Sequence, residues 1–280
     1  MTVIDAATTQ QGSPAPPQPR TEQWQASSVF TQTLALTGRS IRPYLQPGVL
    51  IITFIEPLVM LLMFGGVLRV LGEVPGLPSG VSYIDNLVPA IMVITAVAAG
   101  AQAGNGLIAD LRNDVITRFH TMPIARFTVL LARSLADSAR GLYQLIAVAI
   151  LGALIFGFDP PGGIPGILGA ILVSLIVGWS MSWIFITMAA LLRNGDVLRM
   201  ITTMLTFPLL FASNAFVPID SLPSWLQVIA NANPVSSANA AARGMATGQI
   251  TLGQFVTTVL VCLAVVLVCG PVANRAFRVL

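Results

Sequence analysis

The side chains able to do chemistry are few, and their types exclude more than they permit. All 14 basic side chains are arginine, and the sequence contains no lysine. A nucleotide-binding P-loop needs a lysine to reach the terminal phosphates, so this sequence carries none. If ATP powers the protein, another polypeptide must hydrolyse it. His120 is the single histidine, and Cys262 and Cys269 are the two cysteines. Two turns of helix separate those cysteines by roughly 10 Å, too far for a disulfide within one helix. They read as small apolar packing residues. With no cluster of His, Asp or Glu to hold a metal or move a proton, the sequence predicts no catalytic residue, metal or cofactor on this chain.

The remaining polar side chains sit within apolar stretches. Glu56 lies next to Pro57 in the middle of one. An acidic group at mid-bilayer costs about 2.5–3.5 kcal/mol on insertion scales, so it faces a cavity or a protein interior. Either it serves a substrate or proton site, or it is a structural partner of the N-terminal arginines or a residue reaching the inner interface. Pro57 frees a backbone carbonyl beside it. Asp137 and Arg140, at i and i+3, are expected to pair. Trp179 and Trp183 share a helix face and either line a substrate path or pack helices. Gly100 and Gly104 form a Gly-x-x-x-Gly that allows close helix approach, within the chain or at a dimer seam.

The elements that must position these residues belong to a membrane. Of the 280 residues, 55% are hydrophobic and only 9% charged, with a mean hydropathy of +0.83. No soluble domain of this length can be dressed with so few charges. Residues 1–22, polar and rich in Pro and Gln, predict a disordered cytoplasmic tail without signal-peptide character. Residues 23–46 predict an amphipathic helix with Phe30, Leu34, Ile41, Tyr44 and Leu45 on one face, lying in the membrane interface or packed conventionally. Residues 47–280 predict an all-α domain of six transmembrane helices, at 48–71, 86–108, 134–158, 164–192, 198–217 and 252–273. Asp159 to Gly163 form a tight turn. Placing both termini in the cytoplasm puts every arginine except Arg69 and Arg243 on the inner side, as the positive-inside rule asks.

The loop between the second and third spans, residues 108–127, is the most informative segment. It carries charges of both signs, a helical pattern, and Met122-Pro123 as its stop. Val115, Phe119 and Met122 fall at i, i+4 and i+7 on one face, with Asp114, Arg118 and His120 around them. Such a helix can place apolar side chains in a groove on a partner, or rest on the membrane surface.

The run Arg112-Asn-Asp-Val-Ile-Thr-Arg-Phe-His-Thr-Met-Pro123, followed by Leu130-Leu-Ala-Arg-Ser-Leu-Ala136, resembles the coupling-helix region of type-2 ABC exporter permeases. A second likeness follows the fifth span: Phe211-Ala-Ser-Asn-Ala-Phe-Val-Pro218, Leu222-Pro-Ser-Trp-Leu-Gln227, Asn233-Pro-Val235 and Arg243. Glu56-Pro57 with Phe64-Gly65-Gly66 adds a third. The order of these motifs covers nearly the whole chain after residue 23, and is most similar to the daunorubicin-resistance (Drr) permeases of actinobacteria.

The resemblance implies a permease of the bacterial inner membrane that exports a hydrophobic or amphiphilic drug, polyketide or lipid. It implies two permease chains, copies or relatives, working with two copies of a separate ATPase subunit that binds ATP and Mg. Asp114, Val115, Arg118, Phe119 and Met122 would couple to that ATPase, and residues 218–248 would form short re-entrant helices at the outer face. Glu56, Trp179 and Trp183 stand as residues of a possible substrate path. The alternative is a secondary transporter driven by an ion gradient, which usually shows paired broken helices and several intramembrane ionisable groups.

Overall fold

Inside a bilayer every backbone N–H and C=O must be satisfied within the protein, which leaves helix as the solution for long apolar segments. The computed structural model follows that rule. It describes residues 29–70, 83–112, 126–211, 213–215 and 223–278, and among these it contains helices and connecting turns but no strand. The tail 1–22 and the loop residues 113–125 lie outside the described residues.

The chain enters through α1 (Val29–Ile41) and a 3-10 turn (Arg42–Leu45), then runs into α2 (Pro47–Val70). Next come α3 (Tyr83–Arg112), α4 (Arg126–Phe156) and α5 (Gly163–Leu192). The rest is α6 (Gly195–Phe211), α7 (Ser224–Ala232), α8 (Pro234–Thr247) and α9 (Leu252–Arg278). Five of these helices, α2, α3, α4, α5 and α9, are long and apolar enough to cross a membrane.

The helix at the expected fifth span is shorter than those five. α6 has 17 residues, about 25 Å at 1.5 Å per residue, against a hydrocarbon core of roughly 30 Å. Its start is fixed by Asn194, whose Oδ1 accepts from the backbone N–H groups of Asp196 and Val197 at 3.0 and 3.3 Å. Its end passes into a turn at Ser213–Ala215. The following helices α7 and α8, of 9 and 14 residues, are too short to cross. Asn233-Pro234 separates them. The third span begins earlier than residue 134. α4 starts at Arg126, and residues 127–132 ahead of Arg133 are themselves largely apolar and part of the membrane-length stretch.

α3 is the central helix. Its apolar window is almost wholly buried, whereas those of α2 and α9 are mostly uncovered. The Gly-x-x-x-Gly of α3 is an intrachain contact. A Cβ at Gly100 would lie 2.5 Å from the carbonyl oxygen of Gly178, and one at Gly104 would lie 2.6 Å from that of Phe185. Only glycine lets α3 and α5 approach backbone to backbone here. The turn from α4 into α5 is tied to α3 by the Asp159 backbone N–H, which donates to Asp85 Oδ1 at 3.3 Å.

α1 lies along α4, where Thr37 Oγ1 donates to the carbonyl of Ala132 at 3.4 Å. Its register differs from the simple apolar stripe. Thr33 is buried, while Leu34 is 65% exposed. At these positions the helix turns a hydroxyl-bearing side chain inward and leaves the leucine outside the bundle.

Candidate functional site

The first turns of α4 place Arg133, Asp137 and Arg140 on one face, at i, i+4 and i+7, and that face is buried by α3 and the segment after α1. Arg133 Nε donates to Asp137 Oδ2 at 2.9 Å, and its Nη2 donates to the Tyr44 hydroxyl at 2.7 Å. Tyr44 in turn donates to Asp137 Oδ1 at 3.0 Å. Arg133 Nη1 reaches Asp110 Oδ2 at 3.6 Å, two residues before the end of α3. Asp137 is only 1% exposed, and a buried carboxylate is tolerable only when it is hydrogen-bonded and paired.

The expected pairing of Asp137 with Arg140 is the weaker of two. Arg140 Nη2 stands 3.9 Å from Asp137 Oδ1 and donates instead to the Ala99 carbonyl of α3 at 2.9 Å. Its guanidinium also sits 5.0 Å from the centre of the Tyr44 ring, within cation–π range. Tyr44 falls on the expected face of the N-terminal segment, but it acts through its hydroxyl. Burial, and then the Asp137 carboxylate, push that hydroxyl up to about 12, so it keeps its proton and remains a donor. The sequence signal for this cluster was the i, i+4 spacing of Arg133 and Asp137; nothing in the spacing pointed to Tyr44, 93 residues away from Asp137.

Glu56 is on α2, outside this cluster but beside it. A cavity of about 170 Å³ lies between α2, α3 and α4, lined by Glu56, Gln102, Arg140 and Gln144 against Ile52 and Ile94. Glu56 is exposed, and no ion pair to it falls among the described residues. The neighbouring Pro57 cannot donate to the carbonyl four residues back. Gln144 Nε2 supplies the missing donor, reaching the Thr53 carbonyl at 3.0 Å. A glutamine within an apolar run was the available sign, and sequence reasoning passed over both Gln102 and Gln144.

Trp179 and Trp183 are not brought to Glu56. Trp183 is 1% exposed, stacks on Phe127 with ring centres 5.7 Å apart, and meets Trp179 edge-on at 6.4 Å. Trp179 Nε1 donates to Ser134 Oγ at 3.2 Å. The pair packs α5 on α4. Asp114, Val115, Arg118, Phe119 and Met122 lie outside the described residues; their stems, Arg112 and Arg126, end α3 and begin α4. The Arg133–Asp110 contact therefore joins the two helices from which that loop springs.

At the other end of the bundle Arg243 of α8 holds three backbone carbonyls. Its Nε donates to Asn86 at 3.1 Å, and its Nη2 to Asn214 and Ala215 at 2.6 and 2.7 Å. Asn233 accepts from the Val235 N–H at 2.9 Å, capping α8, and donates to the Leu209 carbonyl at 2.7 Å. The Asn-Pro pair and the downstream arginine singled out in the sequence are thus one staple, tying the short helices to α3 and α6.

Comparison with known proteins agrees with this plan. The model of the ABC-2 type transporter family matches residues 31–247. The chain is 31% identical over 236 residues to the daunorubicin resistance ABC transporter permease protein DrrB1 of Streptomyces coeruleorubidus, covering 83% of this chain and 80% of that protein. It is 26% identical over 248 residues to the DrrC protein of Mycobacterium tuberculosis, whose name links it to doxorubicin resistance as an ABC transporter permease. That match covers 88% of each chain.

Proposed function

The chain belongs to the ABC-2 type transporter family, and on that premise we propose that it is the permease of an exporter that moves a hydrophobic or amphiphilic compound out of the cytoplasm or inner leaflet. Drug, polyketide and lipid all fit this chemistry, and the names of the relatives favour a drug. A separate ATPase subunit, in two copies, hydrolyses ATP with Mg. A second permease, a copy or a relative, completes the pathway. The protein sits in a bacterial inner membrane with both termini in the cytoplasm, a reading carried by the arginine distribution. The family leaves the gradient-driven alternative without support.

The observation that carries the mechanism is the polar cluster at the base of the 113–125 loop. Arg133 engages Asp110 at the end of α3, Asp137 on α4 and Tyr44 next to α1. A displacement of the loop by the ATPase would move these three elements together, because separating them strands a buried charge. In this reading Val115, Phe119 and Met122 seat in an ATPase groove, with Asp114 and Arg118 beside them. Closure of the ATPase dimer on ATP then shifts α3 and α4 between inward- and outward-facing arrangements. The test is reconstitution with the ATPase in proteoliposomes. ATP-dependent export of an amphiphilic dye is expected, with no ATPase activity in the permease alone. Hydrolysis by the isolated permease, or export driven by a proton gradient without ATP, would overturn it.

A further inference from the structure

α2 consists of two unlike halves that meet at Pro57. From the proline onward, Pro57, Leu61 and Gly65 are buried at i, i+4 and i+8. Leu61 is 0% exposed, and a Cβ on Gly65 would lie 2.9 Å from the Phe156 ring of α4. Before the proline, from Pro47 to Glu56, no described side chain is buried. A segment with few buried contacts sits at the low end of local stability. Pro57 also breaks the backbone ladder between the halves, because it has no N–H for the Thr53 carbonyl. Within a bilayer such a carbonyl takes a donor from a neighbouring helix, and here Gln144 Nε2 of α4 provides it at 3.0 Å. The Phe54 ring meets Tyr143 of α4 edge-on at 5.6 Å. The first half of α2 is thus fastened to α4 by a side-chain bond that stands in for a backbone one.

The far end of that half is fastened to the polar cluster. It starts at Pro47, directly after the turn that carries Tyr44, and Tyr44 is held by Arg133 and Asp137. Arg133 also reaches Asp110, at the stem of the 113–125 loop. A pull at that stem therefore arrives at one end of segment 47–56, and the proline lies at the other. We propose that residues 47–56 form a strap, hinged at Pro57 and latched by Gln144, that swings away from α4 when the Arg133 cluster is displaced. The strap contributes Ile52, Thr53 and Glu56 to the wall of the cavity between α2, α3 and α4, so release of the latch widens that cavity. An ordinary backbone bond at position 57 would make α2 one rigid rod and abolish the swing. The hinge and the latch stand on the geometry of this chain alone, whereas their use in transport rests on the export reading.

The test is double electron–electron resonance on the full-length permease in detergent, in a background lacking Cys262 and Cys269. One pair of spin labels joins Ile51 in the strap to Leu267 on α9, and a second joins Leu62, beyond the hinge, to the same Leu267; all three positions are exposed. Gln144→Leu removes the latch and should at least double the width of the Ile51 distance distribution, with that of Leu62 unchanged. Pro57→Ala gives the Thr53 carbonyl a backbone donor, so the double variant should return the Ile51 distribution to its original width. It should also unfold at a higher temperature than Gln144→Leu, a comparison that holds even where Gln144→Leu folds poorly. Pro57→Ala alone should keep the distribution narrow and, with the ATPase in proteoliposomes, cut export at least tenfold while the ATPase stays bound. An unchanged Ile51 distribution in Gln144→Leu, equal broadening of both pairs, or no rescue by Pro57→Ala overturns the hinge and latch. Normal export by Pro57→Ala overturns the swing. Absence of export from the unaltered protein would count against the export reading instead, and the distances decide the hinge without it.

Discussion

At the scale of the residue, the arrangement turns on how a buried carboxylate is satisfied. Asp137 accepts from Arg133 and Tyr44 and has Arg140 at longer range, so Tyr44 is both a bridge and a proton donor. Hydrogen bonds to charged groups contribute about 1.5–3 kcal/mol, and Tyr44→Phe should lower stability by that amount near neutral pH. Alkaline pH adds a second signature. An ordinary tyrosine loses its proton near 10, whereas burial and Asp137 hold Tyr44 up to about 12. The unfolded chain therefore ionises first, and the stabilising contribution, complete below pH 10, is lost as pH climbs towards 12. Thermal unfolding in detergent from pH 9 to 12 should fall more steeply in the unaltered protein than in Tyr44→Phe. Parallel curves would remove Tyr44 from the cluster. Of these residues the sequence reading singled out Asp137 and Arg140 by helical spacing and passed over Arg133, four residues before Asp137. It could not reveal Tyr44, because a contact across 93 positions depends on where α1 docks.

At the scale of the element, glycine decides which helices touch. Gly100→Ala would drive a Cβ to 2.5 Å from a backbone oxygen of α5, and backbone yields only if the helices part. Overpacking of this kind costs about 1–3 kcal/mol. Gly66→Ala meets nothing within 4 Å and gains up to about 1 kcal/mol of helix propensity. The two substitutions should move the unfolding temperature in opposite directions; a destabilisation by Gly66→Ala equal to that of Gly100→Ala would refute the close contact. The long helices were legible because apolar length is a strong signal, and α2, α3, α5 and α9 begin where that signal begins, within a few residues. α4 was misjudged at its start because Arg133, Asp137 and Arg140 interrupt the apolar pattern, although residues 127–132 ahead of them are largely apolar and belong to the span. The Gly-x-x-x-Gly was visible as a contact but its partner was not, since α5 contributes a glycine, Gly178, only on the matching face.

At the scale of the whole molecule, the uncovered apolar faces of α2 and α9 are left for hydrocarbon or for a second permease. The arginine asymmetry predicts that single cysteines at Asp5 and Val279, in a background lacking Cys262 and Cys269, resist impermeant reagents on intact cells. Labelling at both ends would reverse the topology. The central claim is that residues 113–125 join this permease to an ATPase, with the Arg133 cluster carrying the movement inward. An apolar side chain such as Phe119 in a protein groove contributes roughly 1.5–3 kcal/mol by burial, and a charge in its place forfeits that and must be desolvated. The loop lies between spans, so a change in it should leave insertion intact. The decisive measurement is recovery of the ATPase with the unaltered and Phe119→Asp permeases, purified at matched expression. The account predicts a loss of at least tenfold in recovered ATPase, with the permease itself folded and inserted; equal recovery with normal export would contradict it.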